Sequence, residues 1–162
     1  MNRARLDPKV EHTLQKYKLA YEVIACDSEL ADTAAFCETY GYSLDESANA
    51  ILVASRKVEP TKYALCIVLA TTRLDVNKAV CVELGVKRAS FADAETTKEV
   101  TGMMIGGVTA PGVEGIPILI DRNVLSQKRV VMGGGNRSSK LVMNPQELLK
   151  LPEARVVENL AR

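Results

Sequence analysis

Few side chains in this chain could do chemistry, and their spacing narrows what that chemistry can be. The single histidine, His12, falls on the polar side of a segment with helical periodicity, so it is poorly placed to act as the base of a Ser/His or Cys/His nucleophile. Cys26, Cys37, Cys66 and Cys81 are widely spaced, and Cys66 lies inside an apolar run. In a reducing compartment they read as small buried hydrophobes, and neither a zinc site nor another structural metal is expected. The run from Gly133 to Lys140 (GGGNRSSK) invites comparison with phosphate loops, because glycine backbones can turn several N–H groups toward one anion. It lacks the Gly-Lys-Ser/Thr ending of a Walker loop, and Ser138 stands where a dinucleotide fingerprint has its third glycine, so no nucleotide cofactor is expected. The run reads as a turn between two strands or as one wall of another pocket, with Arg137 and Lys140 available to meet a phosphate. Gly106 to Pro111 (GGVTAP) is sharper. Paired glycines let a backbone approach a ligand and aim amide N–H groups at a carbonyl, while proline stiffens the wall. Pro117 to Asp121 (PILID) reads as a strand that delivers a carboxylate at its end.

These residues need elements to hold them. Asp7-Pro8 is an N-cap followed by a first-turn proline, and Val10, Leu14 and Tyr17 recur at helical spacing, which predicts a helix to about Lys18. A strand over Tyr21–Ala25 and a helix from Asp27 or Ser28 to Gly41 follow, with a brief helical turn over 43–46. Ala50–Ser55 and Lys62–Thr71 are apolar runs around a charged turn with Pro60, predicting an antiparallel hairpin at the centre of a sheet. Asp75 and Asp93 each open a short amphipathic helix, the first ending at Gly85 and the second running over 94–100. Gly102 to Pro117 holds five of the ten glycines and two of the six prolines, which predicts a long irregular loop of the kind that carries function. Strands over 118–120, 129–132 and 140–143 and a last helix from Asn144-Pro145 to about Lys150 complete one mixed α/β domain spanning residues 1–162.

The chain has 162 residues, 47% hydrophobic and 25% charged, enough apolar material for a core and no case for disorder. Lys plus Arg is 21 against 20 for Asp plus Glu, a net charge of +1, so any RNA contact must come from a local patch. The N-terminal segment is charged and lacks a signal-peptide core, and the longest apolar run, Tyr63–Ala70, is strand-sized. A cytoplasmic protein without a membrane span is expected.

From about Ser43 to Leu151 the sequence resembles the YbaK/prolyl-tRNA-synthetase-associated domain family of aminoacyl-tRNA editing domains. The resemblance rests on ANAILVAS from Ala48, TTRLDVNKAVCVELGVKRASFAD, TGMMIGGVTAP, PILIDRNVL and VVMGGGNRSSKLVMNP. It implies a mixed, partly barrel-like sheet flanked by helices, with a cleft for the aminoacylated 3′ end of tRNA. The implied reaction is ester hydrolysis by an ordered water, without metal or protein nucleophile, in a free-standing deacylase that can associate with an aminoacyl-tRNA synthetase. The family's loop is usually Gly-Gly-x-Ser/Thr-Pro; here Gly106, Gly107 and Thr109 match, Ala110 stands where proline is expected, and Pro111 follows. Asp121 matches the strand-end aspartate and Gly135 the glycine of the later turn. By this resemblance Gly106, Gly107, Thr109 and Asp121 are the catalytic set. Asn49, Pro111, Gly134, Gly135, Arg137 and Lys140 are the substrate-binding set. Asn49 stands where editing members commonly carry lysine just before the strand, and asparagine offers an amide but no charge. A catalytically silent module that binds tRNA or an aminoacyl-nucleotide is therefore the alternative. Met103, Met104 and Val108 would give an apolar pocket suited to a small uncharged amino acid.

Overall fold

A computed structural model describes residues 5–162. The Asp7 carboxylate accepts the Lys9 N–H at 2.8 Å, and Pro8 occupies the first turn, where no backbone donor is needed. Helix α1 (Pro8–Lys16) then turns Val10 and Leu14 inward. Strand β1 (Glu22–Ala25) and a 3-10 turn (Ser28–Leu30) lead to α2 (Thr33–Tyr40), which ends at Gly41 in the left-handed conformation. The expected hairpin is β2 (Ala48–Ser55) and β3 (Tyr63–Leu69), paired antiparallel from Ala48–Leu69 to Ala54–Tyr63.

Asp75 opens a π-turn (Val76–Val80) that runs into α3 (Cys81–Leu84). Strand β4 (Ala89–Phe91) precedes α4 (Ala94–Thr101), whose cap Asp93 accepts the Thr96 N–H at 2.8 Å. After the long loop come β5 (Ile118–Asp121), β6 (Val130–Gly133), β7 (Ser139–Met143) and β8 (Ala154–Val157).

The strands form two sheets, β1-β7-β6 and β4-β2-β3-β5-β8. The small sheet is antiparallel; in the large one β3, β5 and β8 are parallel. A parallel bridge from Ser47 to Val131 joins the sheets, which gives the assembly its partly barrel-like form. The mixed α/β class expected from the sequence is the one observed. Leu65, Ile67, Ile118, Ile120, Leu141 and Met143 meet between the sheets, together with Val10 and Leu14 of α1. Alternate residues Ala64, Cys66 and Val68 face the other side of the large sheet, under Val80 and Leu84. Burial on both faces explains why β3 reads as an unbroken apolar run. On the outer face of the small sheet, Val131 and Val142 pack under Phe36 and Cys37 of α2.

Four expectations change: the helix expected from Asp27 or Ser28 to Gly41 is divided into a 3-10 turn (Ser28–Leu30) and α2, which Asp32 precedes as its N-cap. Strand β2 starts at Ala48, so Asn49 lies within it rather than before it. The last helix is a 3-10 segment over Pro145–Lys150. Strands β4 and β8 were not foreseen: their short runs (ASF and ARVV) carry no pattern of their own and are held by pairing with β2 and β5.

Candidate functional site

Strand β2 is paired with β3 along its length but with β4 only from Val53 to Ser55. Between the Ser47–Val131 bridge and the Ala92 N–H that reaches the Leu52 carbonyl at 2.9 Å, its second edge opens onto a cleft of about 340 Å³. Ala48, Ala50 and Leu52 form one wall, Gly106 and Val108 of the glycine loop another, and Ala31 and Phe36 of the α2 region a third. Asn49 lines the cleft, and its Oδ1 accepts the Thr33 hydroxyl at 2.7 Å.

The two glycines of the loop do different work. Gly106 lines the cleft with φ of 96°, and the Arg137 guanidinium occupies the space a side chain there would need. Gly107 faces the other way. Its N–H donates to the Met104 carbonyl at 2.8 Å, its carbonyl accepts the Gly135 N–H at 2.7 Å, and a Cβ on it would lie 2.5 Å from the Asn136 carbonyl oxygen. Gly133 completes the interlock, since a Cβ there would lie 2.6 Å from the Val108 carbonyl oxygen. The loop and the glycine turn are thus packed backbone against backbone, an approach only glycine permits. Among the described residues, no hydrogen-bond acceptor takes the backbone N–H of Gly106 or Val108. Unlike the amide of Gly107, these two N–H groups belong to cleft-lining residues and, like that of Ile105, have no internal acceptor among the described residues.

Other residues singled out from the sequence lie outside the cleft wall. Thr109 is fully buried, and its hydroxyl has no partner among the described residues. Pro111 is buried in the same loop. The Gly134 carbonyl accepts the Asp7 N–H at 3.0 Å, and Gly135, with φ of 88°, packs against Asp7 and Val10, so both seat the start of α1. Asp121 ends β5, where its Oδ1 accepts the Leu160 N–H at 3.1 Å and the opposite oxygen has no partner among the described residues. Burial pushes its carboxyl above the usual carboxylate range, opposed by the backbone N–H groups of Ala161, Leu160, Arg122 and Asn123. Asp121 therefore braces the C-terminal segment and does not reach the cleft.

The two cations of the glycine turn also part company. Arg137 donates to the Ser28 carbonyl at 2.8 Å, the Ile105 carbonyl at 2.7 Å and the Asp32 carboxylate at 3.1 Å, clasping the α2 region to the glycine loop. It is a tie rather than a free phosphate receptor. Lys140 is buried in the cleft wall, its ammonium 2.6 Å from the Ala31 carbonyl, 3.0 Å from the Gly106 carbonyl and 5.3 Å from the centre of the Phe36 ring. Burial pushes its pKa below that of an ordinary lysine; of the groups facing it, Cys26, Asp32 and Cys37 oppose the shift and Arg137 reinforces it.

Met103 is in the core and Met104 is exposed, so of the three residues expected to make an apolar pocket only Val108 lines this one. The α2 wall was not foreseen, although Phe36 among small residues marked a packing face. Burial pushes the Cys26 and Cys37 thiols up and raises Cys66 to about 12, so these three behave as hydrophobes. His12 is exposed on α1. No group of three His, Cys, Asp or Glu side chains able to hold a metal occurs among the described residues, nor does a helix long and apolar enough to cross a membrane.

A profile of the aminoacyl-tRNA editing domain matches residues 27–151, which include every wall of the cleft. The chain belongs to that family. Solved structures share the editing-domain fold. The hypothetical protein APE2540 superposes with a TM-score of 0.83 at 24% identity, over 95% of this chain and 99% of that one. A proposed trans-editing enzyme for prolyl tRNA synthetase superposes with a TM-score of 0.77 at 22% identity, over 94% and 97%. Within this editing domain the β2 wall carries the neutral amide of Asn49, and Lys140 is the only basic side chain lining the cleft among the described residues.

Proposed function

We propose that the chain acts as one free-standing unit over residues 1–162, an aminoacyl-tRNA deacylase that removes a small mis-attached amino acid. The observation that supports this best is that Gly106 and Val108, which line the cleft opposite β2, have backbone N–H groups with no acceptor among the described residues. In ester hydrolysis water adds to the carbonyl carbon and the carbonyl oxygen becomes negative. The bond from that carbon to the ribose oxygen then breaks, and a proton from the water ends on the ribose oxygen. Backbone N–H groups fixed before the reaction stabilise such an oxyanion without reorganising. Gly106 and Val108 take this part, Gly107 holds the loop in place, Asn49 positions the end of the tRNA, and Thr109 and Asp121 support the scaffold. Apolar walls at Ala31, Phe36, Ala50 and Val131 favour a small side chain.

The partner is the aminoacylated 3′ end of tRNA in the cytoplasm. Association with a synthetase is a companion proposal, supported by the name of the trans-editing relative. With Arg137 tied internally, the exposed cations suited to RNA phosphates are Arg56 and Lys57 beyond β2 and Lys87 and Arg88 before β4. The Arg56 N–H donates to the Arg88 carbonyl at 2.9 Å, so the two pairs adjoin. At about 3.3 Å per residue, they lie roughly 20 Å along β2 from Ala50.

A silent binding module is the second reading, favoured by the uncharged Asn49 and its bond to Thr33. A single-turnover screen with tRNAs carrying Ala, Ser, Cys or Pro separates the two. Hydrolysis of at least one above its uncatalysed rate is expected; hydrolysis of none, with tRNA still bound, would establish the silent module.

A further inference from the structure

Lys140 sits on β7 with alternate parity to Leu141 and Met143, so it shares the outer face of the small sheet with Val142 and Phe36. Its neighbours under α2 there, Cys26, Ala31, Phe36, Cys37, Val131 and Val142, are apolar, and a leucine or methionine would fill the place without burying a charge. The residue is instead a lysine with 7% of its surface exposed. Among the described residues no carboxylate lies within 4.0 Å of its ammonium; Asp32, the acid nearest in effect, is bonded to Arg137. Two of its three N–H donors go to the Ala31 and Gly106 carbonyls, which leaves one donor and an unbalanced positive charge in the cleft wall. The bond to Gly106 also fixes where that charge stands, beside a residue whose own N–H, like that of Val108, has no acceptor among the described residues.

We propose that the Lys140 ammonium is the positive charge that meets the substrate's carbonyl oxygen as it becomes an oxyanion, delivered from the small sheet and not from β2. The reaction rests on the deacylase reading; the charge rests on the geometry of Lys140. A buried cation with a spare donor and no counter-ion is completed by a negative oxygen, and Gly106 and Val108, whose N–H groups have no acceptor among the described residues, line the same cleft. Asn49, across the cleft, supplies orientation without charge. Lys140 is thereby a catalytic residue, distinct from Arg137 three positions earlier in the turn before β7, which ties the walls together.

Two adenosine analogues with an alanyl side chain test this. One is a 3′-(1-aminoethyl)phosphonate ester, whose tetrahedral phosphorus bears a negative oxygen; the other is a 3′-amide with a neutral carbonyl. The wild-type protein is expected to bind the phosphonate at least tenfold more tightly, and Lys140→Met to abolish that preference. Lys140→Gln, which keeps a donor for the two carbonyls, serves where Lys140→Met does not fold. In single-turnover hydrolysis Lys140→Met is expected to lose about 10² to 10³ in rate with little change in tRNA affinity. Lys140→Met combined with Asn49→Lys, which returns a charge to the cleft from β2, is expected to regain at least tenfold. Equal wild-type affinity for the two analogues, or a preference that survives loss of Lys140, would overturn the proposal. If the wild-type protein hydrolyses no aminoacyl-tRNA yet prefers the phosphonate through Lys140, the deacylase reading fails and the charge assignment stands.

Discussion

Gly106 and Gly107 are neighbours in one loop, yet one belongs to the cleft and the other to the packing behind it. Gly106 has a left-handed φ and lines the cavity beside Lys140, whereas Gly107 lies against the Asn136 backbone with its amide and carbonyl both bonded. The same division separates Lys140 from Arg137, and Asn49 from Asp121. Strand β2 has an open edge beside the cleft, so Asn49 lines it; β5 is flanked by β3 and β8, so the carboxylate at its end is enclosed. Residue type therefore predicts what a group could do, while the freedom of the neighbouring edge decides whether a ligand can reach it.

The sharpest way to break this comparison is Gly107→Ala. A Cβ 2.5 Å from a backbone oxygen cannot be relieved by a side-chain rotation, so a loss of about 3 kcal/mol or more is expected. At roughly 2–4 °C per kcal/mol, calorimetry should show melting lower by about 6 °C or more. The folded fraction should hydrolyse at the normal rate per molecule; an unchanged melting temperature with lost activity would move Gly107 to the cleft side.

Asn49→Lys probes the cleft side. With Lys140 already present, the added charge is expected to raise single-turnover hydrolysis by less than about tenfold, that is by less than about 1.4 kcal/mol of barrier. Asn49→Ala, which loses the Thr33 bond, should fall below wild type. A gain of a hundredfold or more from lysine would show that Lys140 does not serve the reacting carbonyl.

Asp121→Asn probes the packed side and is expected to change stability by no more than about 1 kcal/mol, because the amide oxygen can still accept the Leu160 N–H. The carboxyl's folded pKa lies above its ordinary 3.8, so the folded state holds the proton more tightly than the unfolded one. The wild-type protein should then lose stability as pH rises from 3.8 through the raised folded value, a slope absent from Asp121→Asn and readable by denaturant melts across that window. Lost hydrolysis at unchanged stability would instead bring Asp121 into the site.

The smallest effect concerns RNA. Replacing Arg56 and Lys57 by alanine should lower the slope of log affinity for tRNA against log salt by about 1 to 2 and leave hydrolysis of bound substrate unchanged. An unaltered slope would exclude the patch beyond β2 from the phosphate contacts.

Much of the scaffold was legible in the sequence because its signals are local. Asp7-Pro8 and Asp93 cap helices where expected, and the apolar runs became β2 and β3. Strand β8 was not legible because partnership with β5, not its own composition, makes it a strand. In the candidate site, Asn49, Gly106 and Lys140 were recognisable as residue types, and the α2 wall that encloses Lys140 was not.

The sequence by itself determined where the chain could turn, cap and extend, since steric limits at Gly and Pro, cap hydrogen bonds and apolar alternation act within a few residues. It also determined which groups were available: one exposed histidine, cysteines without a metal-like spacing, two glycine clusters and a lysine at the end of the second. Only the tertiary structure decided which of these share a cleft. Lys140 becomes a buried charge because Ala31 and Gly106, 109 and 34 residues away, bring their carbonyls to it, and Gly107 becomes a packing residue because Asn136 lies against it. Desolvation and close backbone approach depend on neighbours remote in the chain, and no local pattern records them.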